Sequence, residues 1–323
     1  MGKTITYQNP VYDDYFADPF VWRLADAYWA IGTGPVSGSD RIFPLLRSPD
    51  LVHWEPAGGA LVRPTGFESA NFWAPEVAQH EGKFYLYYSA GRSDEDHRLF
   101  VAASDRPDGP YRQLAGPLVD PTVCPFTIDP HPFRDDDGQW YLFYARDFLD
   151  TDGGNRAGTA LVVDRLDQMT KLAGQETTVL RARYDWQLYL ARRPMYGRIF
   201  DWHTLEGPTV RKRDGKYWCF FSGSNWQTAN YGVDYAVAQK VMGPYDNAGA
   251  DGGPRVLQTV PGKVRGPGHN SIVTEPDGRT DWIVYHAWDE RLTARKLCID
   301  PLHWTPQGPR CDGPSWETKV VQC

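Results

Sequence analysis

Gly82-Lys83-Phe84-Tyr85-Leu86-Tyr87-Tyr88 sets a turn glycine directly before a run of aromatic residues. Such a segment reads as a hairpin turn feeding a strand that is buried on both faces. The pattern recurs along the chain. Asp26-Ala27-Tyr28-Trp29-Ala30-Ile31 precedes it; Gly138-Gln139-Trp140-Tyr141-Leu142-Phe143-Tyr144, Gly215-Lys216-Tyr217-Trp218-Cys219-Phe220-Phe221 and Gly278-Arg279-Thr280-Asp281-Trp282-Ile283-Val284-Tyr285 follow. The first aromatics stand at 28, 84, 140, 217 and 282. The intervals of 56, 56, 77 and 65 residues each suit a four-stranded unit with its loops. One small sheet cannot cover both of its faces alone, and stacking five of them around an axis covers all of them. The expected fold is therefore all-β: a five-bladed β-propeller formed as one domain over residues 1–323, with its active site at the central mouth.

The composition agrees with short strands and tight turns. Aromatics reach 14%, with 26 Pro and 31 Gly among 323 residues. Aromatic rings fill the space between sheets and equally well stack on the C–H faces of sugars, so composition does not separate the two uses. The net charge of -7 and the lack of a basic run argue against nucleic acid and anionic membranes as partners. No apolar run approaches the about 20 residues of a membrane span. The five cysteines, Cys124, Cys219, Cys298, Cys311 and Cys323, have neither CxxC nor zinc-finger spacing. Cys298 and Cys311 flank a turn-rich segment that a bridge would close, but free thiols are the favoured reading. The start at Met1-Gly2-Lys3-Thr4 has no apolar h-region, which suits a cytoplasmic protein, or a secreted one whose signal lies outside this sequence. The best helical candidate is residues 185–191. The segment 181–203, which lengthens the third interval, is expected to be a long loop over the cleft.

A second element precedes each hairpin: a polar residue beside Pro or Gly, then a short apolar strand. The copies are Asp18-Pro19-Phe20-Val21-Trp22, Pro75-Glu76-Val77-Ala78, Asp129-Pro130-His131-Pro132-Phe133, Glu206-Gly207-Pro208-Thr209-Val210 and Gly268-His269-Asn270-Ser271-Ile272-Val273. In a propeller these begin the innermost strands, so Asp18, Glu76, Asp129, Glu206 and His269 are expected to ring one opening. Clustered carboxylates repel one another, and burial favours their neutral form. Such a cluster costs stability and is better explained by acid/base work or by a cation. A pair of carboxyl groups across a sugar ring is what glycoside hydrolysis needs: one protonates the leaving oxygen, the other activates water or attacks directly. A lone Asp-Pro or Glu-Gly does no more than start a turn. Asp18, Asp129 and Glu206 in phase with the repeat point to chemistry.

Phe16-Ala17-Asp18-Pro19, Trp73-Ala74-Pro75-Glu76, Ile128-Asp129-Pro130, Glu206-Gly207-Pro208 and Gly266-Pro267-Gly268-His269-Asn270-Ser271 resemble, in order, the signature segments of glycoside hydrolase family 43. The resemblance spans nearly the whole chain. It implies an inverting hydrolase with Asp18 as the general base, Glu206 as the general acid, and Asp129 as the carboxylate that raises and orients the acid. Inversion implies a base-to-acid separation of roughly 6.5–9.5 Å. It implies for His269 a place on the axis beneath the sugar, holding either water or a metal ion, often calcium; no other cofactor is implied. A single His is a poor calcium site, because that ion prefers oxygen ligands. It implies for Arg295 a contact with the bound sugar, against the plainer reading of a surface ion pair. Trp73 and Trp202 are candidate stacking platforms, and Asn225 and Trp226 candidate rim residues, each also readable as core packing. Glu76 falls outside the family's triad and is read as structural or sugar-binding.

The family's substrates are arabinans, arabinoxylans and xylo-oligosaccharides. Family β-xylosidases often carry a further C-terminal β-sandwich, and this sequence ends soon after the fifth repeat, so an α-L-arabinofuranosidase or an arabinanase is expected. The 181–203 insertion and the aromatic loop 224–231 favour a closed pocket and exo action. The alternatives are a β-xylosidase or an endo-α-1,5-L-arabinanase. A non-catalytic carbohydrate-binding propeller would need one of the three acids to be missing, and all are present. A protein-interaction propeller would show regular surface repeats, whereas the intervals here are uneven.

Overall fold

The structure, a computed structural model, describes residues 4–322. Met1–Lys3 and Cys323 lie outside the described residues. The fold is all-β, with two single-turn 3-10 segments at Asp152–Gly154 and Asp185–Gln187. Each aromatic hairpin of the sequence becomes the second strand of an antiparallel meander: Ala27–Thr33, Lys83–Gly91, Trp140–Phe148, Lys216–Gly223 and Asp281–Trp288. These strands read as almost continuous apolar runs because both faces are covered. The inner strands that pair with them are Ala17–Leu24, Asn71–His80, Thr127–Arg134, Arg198–Arg213 and Arg265–Thr274.

The inner strands touch one another in cyclic order, the fifth returning to the first. Apolar clusters fill the gaps between successive meanders in the same order. Leu45 and Phe43 meet Leu86 and Phe100 between the first and second. Leu99 and Val101 meet Leu142 and Val162 between the second and third. Phe143 and Leu161 meet Leu205 and Phe221 between the third and fourth. Phe220 and Val233 meet Ile272 and Ile283 between the fourth and fifth. Val21 and Leu46 meet Trp282 and Leu297 between the first and fifth. The ends of the described chain are also tied together. Thr4–Tyr7 pairs with Lys319–Gln322, and the Asn9 side chain bonds both the N–H and C=O of Ile299 at 2.9 and 2.8 Å.

The third and fourth meanders are joined into one sheet by a short parallel pairing, Gly158 with His203 and Thr159 with Thr204. Gly158 has φ +145, and a Cβ there would lie 1.8 Å from the His203 carbonyl oxygen. Gly158→Ala is therefore expected to push this seam apart. A cost on the order of 3 kcal/mol, read as a melting temperature lowered by roughly 4–5 °C, is the expected outcome of a thermal melt.

The segment 181–203 is built differently from the expected loop. A 3-10 turn at Asp185–Gln187 leads into strand Leu188–Met195, which turns back at Tyr196-Gly197 and pairs with the start of the 198–213 strand. The helical candidate 185–191 is thus one 3-10 turn followed by strand. Cys124, Cys219, Cys298 and Cys311 are free thiols, so Cys298 and Cys311 do not pair.

Candidate active site

Every inner strand breaks register with its neighbour at the same place. The shifts fall between Ala17 and Phe20, Trp73 and Glu76, Ile128 and His131, Glu206 and Thr209, and Gly268 and Ser271. One residue in each break has positive φ: Asp18 (49), Ala74 (46), Asp129 (57), Gly207 (58) and His269 (47). Bulges of this kind re-aim side chains, and a non-glycine residue held there points to function rather than stability. Here they turn Asp18, Asp129 and His269, with Trp73, Ile128 and Glu206 one residue before the break, into a common cavity of about 280 Å³. Gly207 is required twice over: its φ is positive, and a Cβ would press on the His269 ring at 3.2 Å.

The three acids expected to meet therefore do meet; Asp18 and Asp129 are buried, at 8% and 6% exposed, and Glu206 is half-buried. Glu76 does not join them. It sits two residues past the break, points away from the cavity, and bonds His131 Nδ1 at 2.7 Å. Because Val210 N–H donates to His131 Nε2 at 3.0 Å, the imidazole proton is on Nδ1 and is given to Glu76. Asn225 also lies outside the cavity lining; its Oδ1 accepts the Gln227 N–H at 2.9 Å and shapes a turn. Trp73 lines the cavity with its ring stacked on His97, centroids 3.5 Å apart. Trp202 lines it too but is 1% exposed, packed with Met195, Phe200 and Ala157, so it is back wall rather than open platform.

Arg295 is neither a surface ion pair nor free. Its Nη1 donates to Asp18 Oδ1 at 3.1 Å, its Nη2 donates to Tyr15 Oη at 2.7 Å, and its guanidinium lies 4.4 Å over the Trp226 ring. Burial alone would raise the Asp18 carboxyl; Arg295, aided by His269, His286 and a bond from Thr33, outweighs it and holds Asp18 well below the usual carboxylate range. Burial keeps both imidazoles from protonating readily, so Arg295 is the lasting counter-charge. Glu206 and Asp129 go the other way. Burial, opposed by the Tyr231 hydroxyl at 2.6 Å and reinforced by the Asp18 charge, pushes Glu206 up to about 7. Burial and the neighbouring Glu206 and Asp18 charges raise Asp129 well above its ordinary value, although Gly207 N–H donates to its Oδ2 at 2.9 Å. The cavity thus holds one carboxylate kept ionised beside two carboxyls that resist ionising, the separation that acid/base catalysis needs.

The side chains around His269 are a poor fit to calcium. His269 Nδ1 lies 3.5 Å from Asp18 and 3.9 Å from Asp129, and Asp18 is already neutralised by Arg295. Among the described residues no group of three or more His, Cys, Asp or Glu is arranged to hold a metal ion. One nitrogen donor with committed carboxylates is a poor match to an ion that takes six to eight oxygens.

Tyr15, Asp94, Asp147, Tyr189, Arg193 and Tyr231 are site residues that the repeat did not reveal. Tyr189 and Arg193 come from the 188–195 strand, which folds over the cavity. Three contacts hold its far end to the rest of the wall. Arg193 pairs with Asp94, Tyr196 N–H donates to Glu95 at 2.6 Å, and Tyr196 Oη donates to Asp147 at 2.7 Å. Asp147, buried and pushed up to about 7 by that burial, also accepts from Thr159 at 2.8 Å.

Comparison with known proteins gives the family. The model of glycosyl hydrolases family 43 matches residues 7–309. The chain belongs to glycoside hydrolase family 43. This family 43 enzyme is 30% identical, over 93% of its length and 83% of the other, to the β-D-galactofuranosidase xynD of Aspergillus niger. It is 28% identical, over 87% of its length and 82% of the other, to an extracellular exo-α-(1->5)-L-arabinofuranosidase of Streptomyces chartreusis. Among solved structures it resembles a thermostable family-43 glycoside hydrolase with TM-score 0.81 and 29% identity, covering 96% of this chain and 97% of that one.

The Tyr231 bond favours the ionised form of Glu206. In Tyr231→Phe that support is gone, so the Glu206 carboxyl is expected to ionise at higher pH. The alkaline fall in kcat/KM should move upward, by roughly half to one pH unit, in a profile recorded against wild type. A profile that stays put or moves down would separate Tyr231 from the Glu206 carboxyl.

Proposed function

We propose that the chain is one catalytic five-bladed β-propeller and an inverting α-L-arabinofuranosidase that removes terminal arabinofuranosyl residues from arabinan, arabinoxylan or their oligosaccharides. The observation that carries this reading is one cavity that sets Asp18, paired with Arg295, opposite in tendency to Glu206, whose carboxyl is pushed up by desolvation and the neighbouring Asp18 charge. Asp18 takes a proton from a water as that water attacks the anomeric carbon. Glu206 gives its proton to the departing glycosidic oxygen in the same displacement. Asp129, bonded through Gly207 N–H to the residue after the acid, keeps Glu206 oriented and its proton on. Trp73 and Trp226, both on the cavity lining, supply apolar surface beside the sugar. Acid, base and binding groups are all side chains of this chain, and the scheme uses no cofactor.

Exo action is supported by the shape of the cavity. About 280 Å³ is near the lower edge of ligand pockets, which run about 300–1,000 Å³. The 188–195 strand, clamped by Arg193 and Tyr196, closes one side where a long polymer would have to pass. Arg193→Ala releases the clamp. The expected result on a linear arabino-oligosaccharide is roughly a tenfold loss of kcat/KM for monosaccharide release, with di- and trisaccharide products appearing as the open side admits longer chains. Chromatography of early products checks it; unchanged product lengths would remove the clamp from the account of specificity.

The test of the whole assignment is a panel: linear arabinan, arabinoxylan, xylo-oligosaccharides, and the aryl arabinofuranoside, xyloside and galactofuranoside. The arabinofuranosides are expected to give the highest kcat/KM and free arabinose as the first product. A preference for the xyloside or the galactofuranoside, or oligosaccharides alone from arabinan, would reassign the sugar or the mode of action.

A further inference from the structure

The inner strands begin at the catalytic cavity and run away from it. Their downstream halves line a second hollow of about 390 Å³, built from residues 20–23, 131–134, 209–211 and 272–274 with Trp140. Three arginines, Arg23, Arg134 and Arg211, stand on its wall beside Trp22, Phe133 and Trp140, and no carboxylate lines it. In a chain of net charge -7 this is an isolated cationic recess. The acids whose charge reaches Arg211 are engaged elsewhere. Glu76 is bonded to His131, and Asp281 accepts from Thr274 and Trp304 and pairs with Arg213.

Two donors on the wall are unmet. Arg211 Nε and Trp22 Nε1 are both sequestered from solvent and have no hydrogen-bond partner among the described residues. A buried donor without an acceptor is costly, and a guanidinium more so than a neutral group. The aromatic surface is equally unusual. Trp22 is stacked between Phe20 and Trp29, at 5.9 and 6.3 Å, and all three rings keep part of their surface in solvent. Guanidinium groups match the two oxygens of a carboxylate, and aromatic faces match the C–H face of a sugar ring. We propose that this recess is a second carbohydrate site, one that takes a uronic acid unit with its carboxylate on the arginines and its ring against the aromatic wall. Neither the catalytic acids nor the neutral furanoside substrate is involved, so the site holds the protein to acidic polysaccharide while the opposite mouth works on neutral branches.

The test uses the full chain carrying Glu206→Gln, which prevents turnover, and titrates it with digalacturonate, neutral arabinobiose and inorganic phosphate by calorimetry. Digalacturonate is expected to bind wild type and Glu206→Gln alike. The double variant Arg23→Gln, Arg134→Gln, both exposed positions, should weaken that binding about tenfold. The same double variant, without Glu206→Gln, should hydrolyse an aryl arabinofuranoside at the wild-type rate. Digalacturonate binding that the double variant leaves unchanged would overturn the proposal. So would phosphate binding as tightly as digalacturonate, which marks a plain anion site, or no saturation with digalacturonate up to about 10 mM. Loss of hydrolysis on the panel above would strike the catalytic reading and leave this one standing.

Discussion

Glu206→Ala is expected to lower kcat on a natural arabinoside linkage by about 10²–10⁴-fold, the usual contribution of a general acid. A sugar alkoxide is a poor leaving group, and in the proposed reaction only the Glu206 proton makes it leave. An aryl glycoside with an acidic phenol needs no such proton, so the same variant should keep most of its activity there. The pH profile carries a second, independent sign. Glu206 must hold its proton to act, and burial pushes it up to about 7. Wild-type kcat/KM should therefore fall as pH rises through that value, and the fall should vanish in Glu206→Ala assayed on the aryl substrate. If the variant lost both substrates equally, or kept the alkaline limb, the acid would be another group; Asp129, also raised, is the one the geometry would next nominate.

Asp18→Asn is expected to remove activity on every substrate, whatever the leaving group, because an amide cannot accept the proton of the attacking water. A loss of about 10²–10⁴-fold or more in kcat is expected on natural and aryl glycosides alike. That contrast with Glu206→Ala distinguishes base from acid. Asp18 also neutralises Arg295, and breaking a buried ion pair costs about 3–5 kcal/mol, so the melting temperature of the variant should fall as well. Arg295→Met in the Asp18→Asn background relieves the unpaired guanidinium. It should recover stability and leave activity absent. Recovery of activity in that double variant would show that Asp18 supports the fold and not the reaction.

How much of this was written in the chain can be judged residue by residue. The aromatic hairpins were plain because each second strand is covered on both faces and so cannot carry polar residues at most positions. Asp18, Asp129 and Glu206 stood out because charge beside Pro or Gly interrupted that pattern at a regular place. Glu76 was drawn into the same set by aligning acids. Aligning the prolines instead places Pro19, Pro75, Pro130 and Pro208 together, puts Ala74 beside Asp18 and Asp129, and moves Glu76 out by two residues. In a strand that shift changes the surroundings of the side chain. Asn225 lies outside the cavity lining because its side chain serves its own turn, a use that Asn shares with every loop.

The contacts formed across the chain were out of reach. Arg295 meets Asp18 over 277 positions, and Tyr196 meets Glu95 over 101. Asp147 left a signal, a lone acid in the 140–148 aromatic strand, but its partners Tyr196 and Thr159 come from other segments. The 188–195 strand gave no periodic cue, since only Tyr189, Arg193 and Met195 reach the cavity and Met195 alone is buried. Length alone pointed to it, and length does not distinguish a loop from a hairpin.

The stereochemistry of the first product tests the central arrangement most directly. Asp18 and Glu206 are proposed to act in one displacement, with water entering opposite the leaving group. Proton NMR of an α-linked arabinofuranoside digest, read before mutarotation, should show β-arabinofuranose first. α-Arabinofuranose as the first-formed sugar would mean a covalent intermediate, and would contradict the assignment of Asp18 to the water.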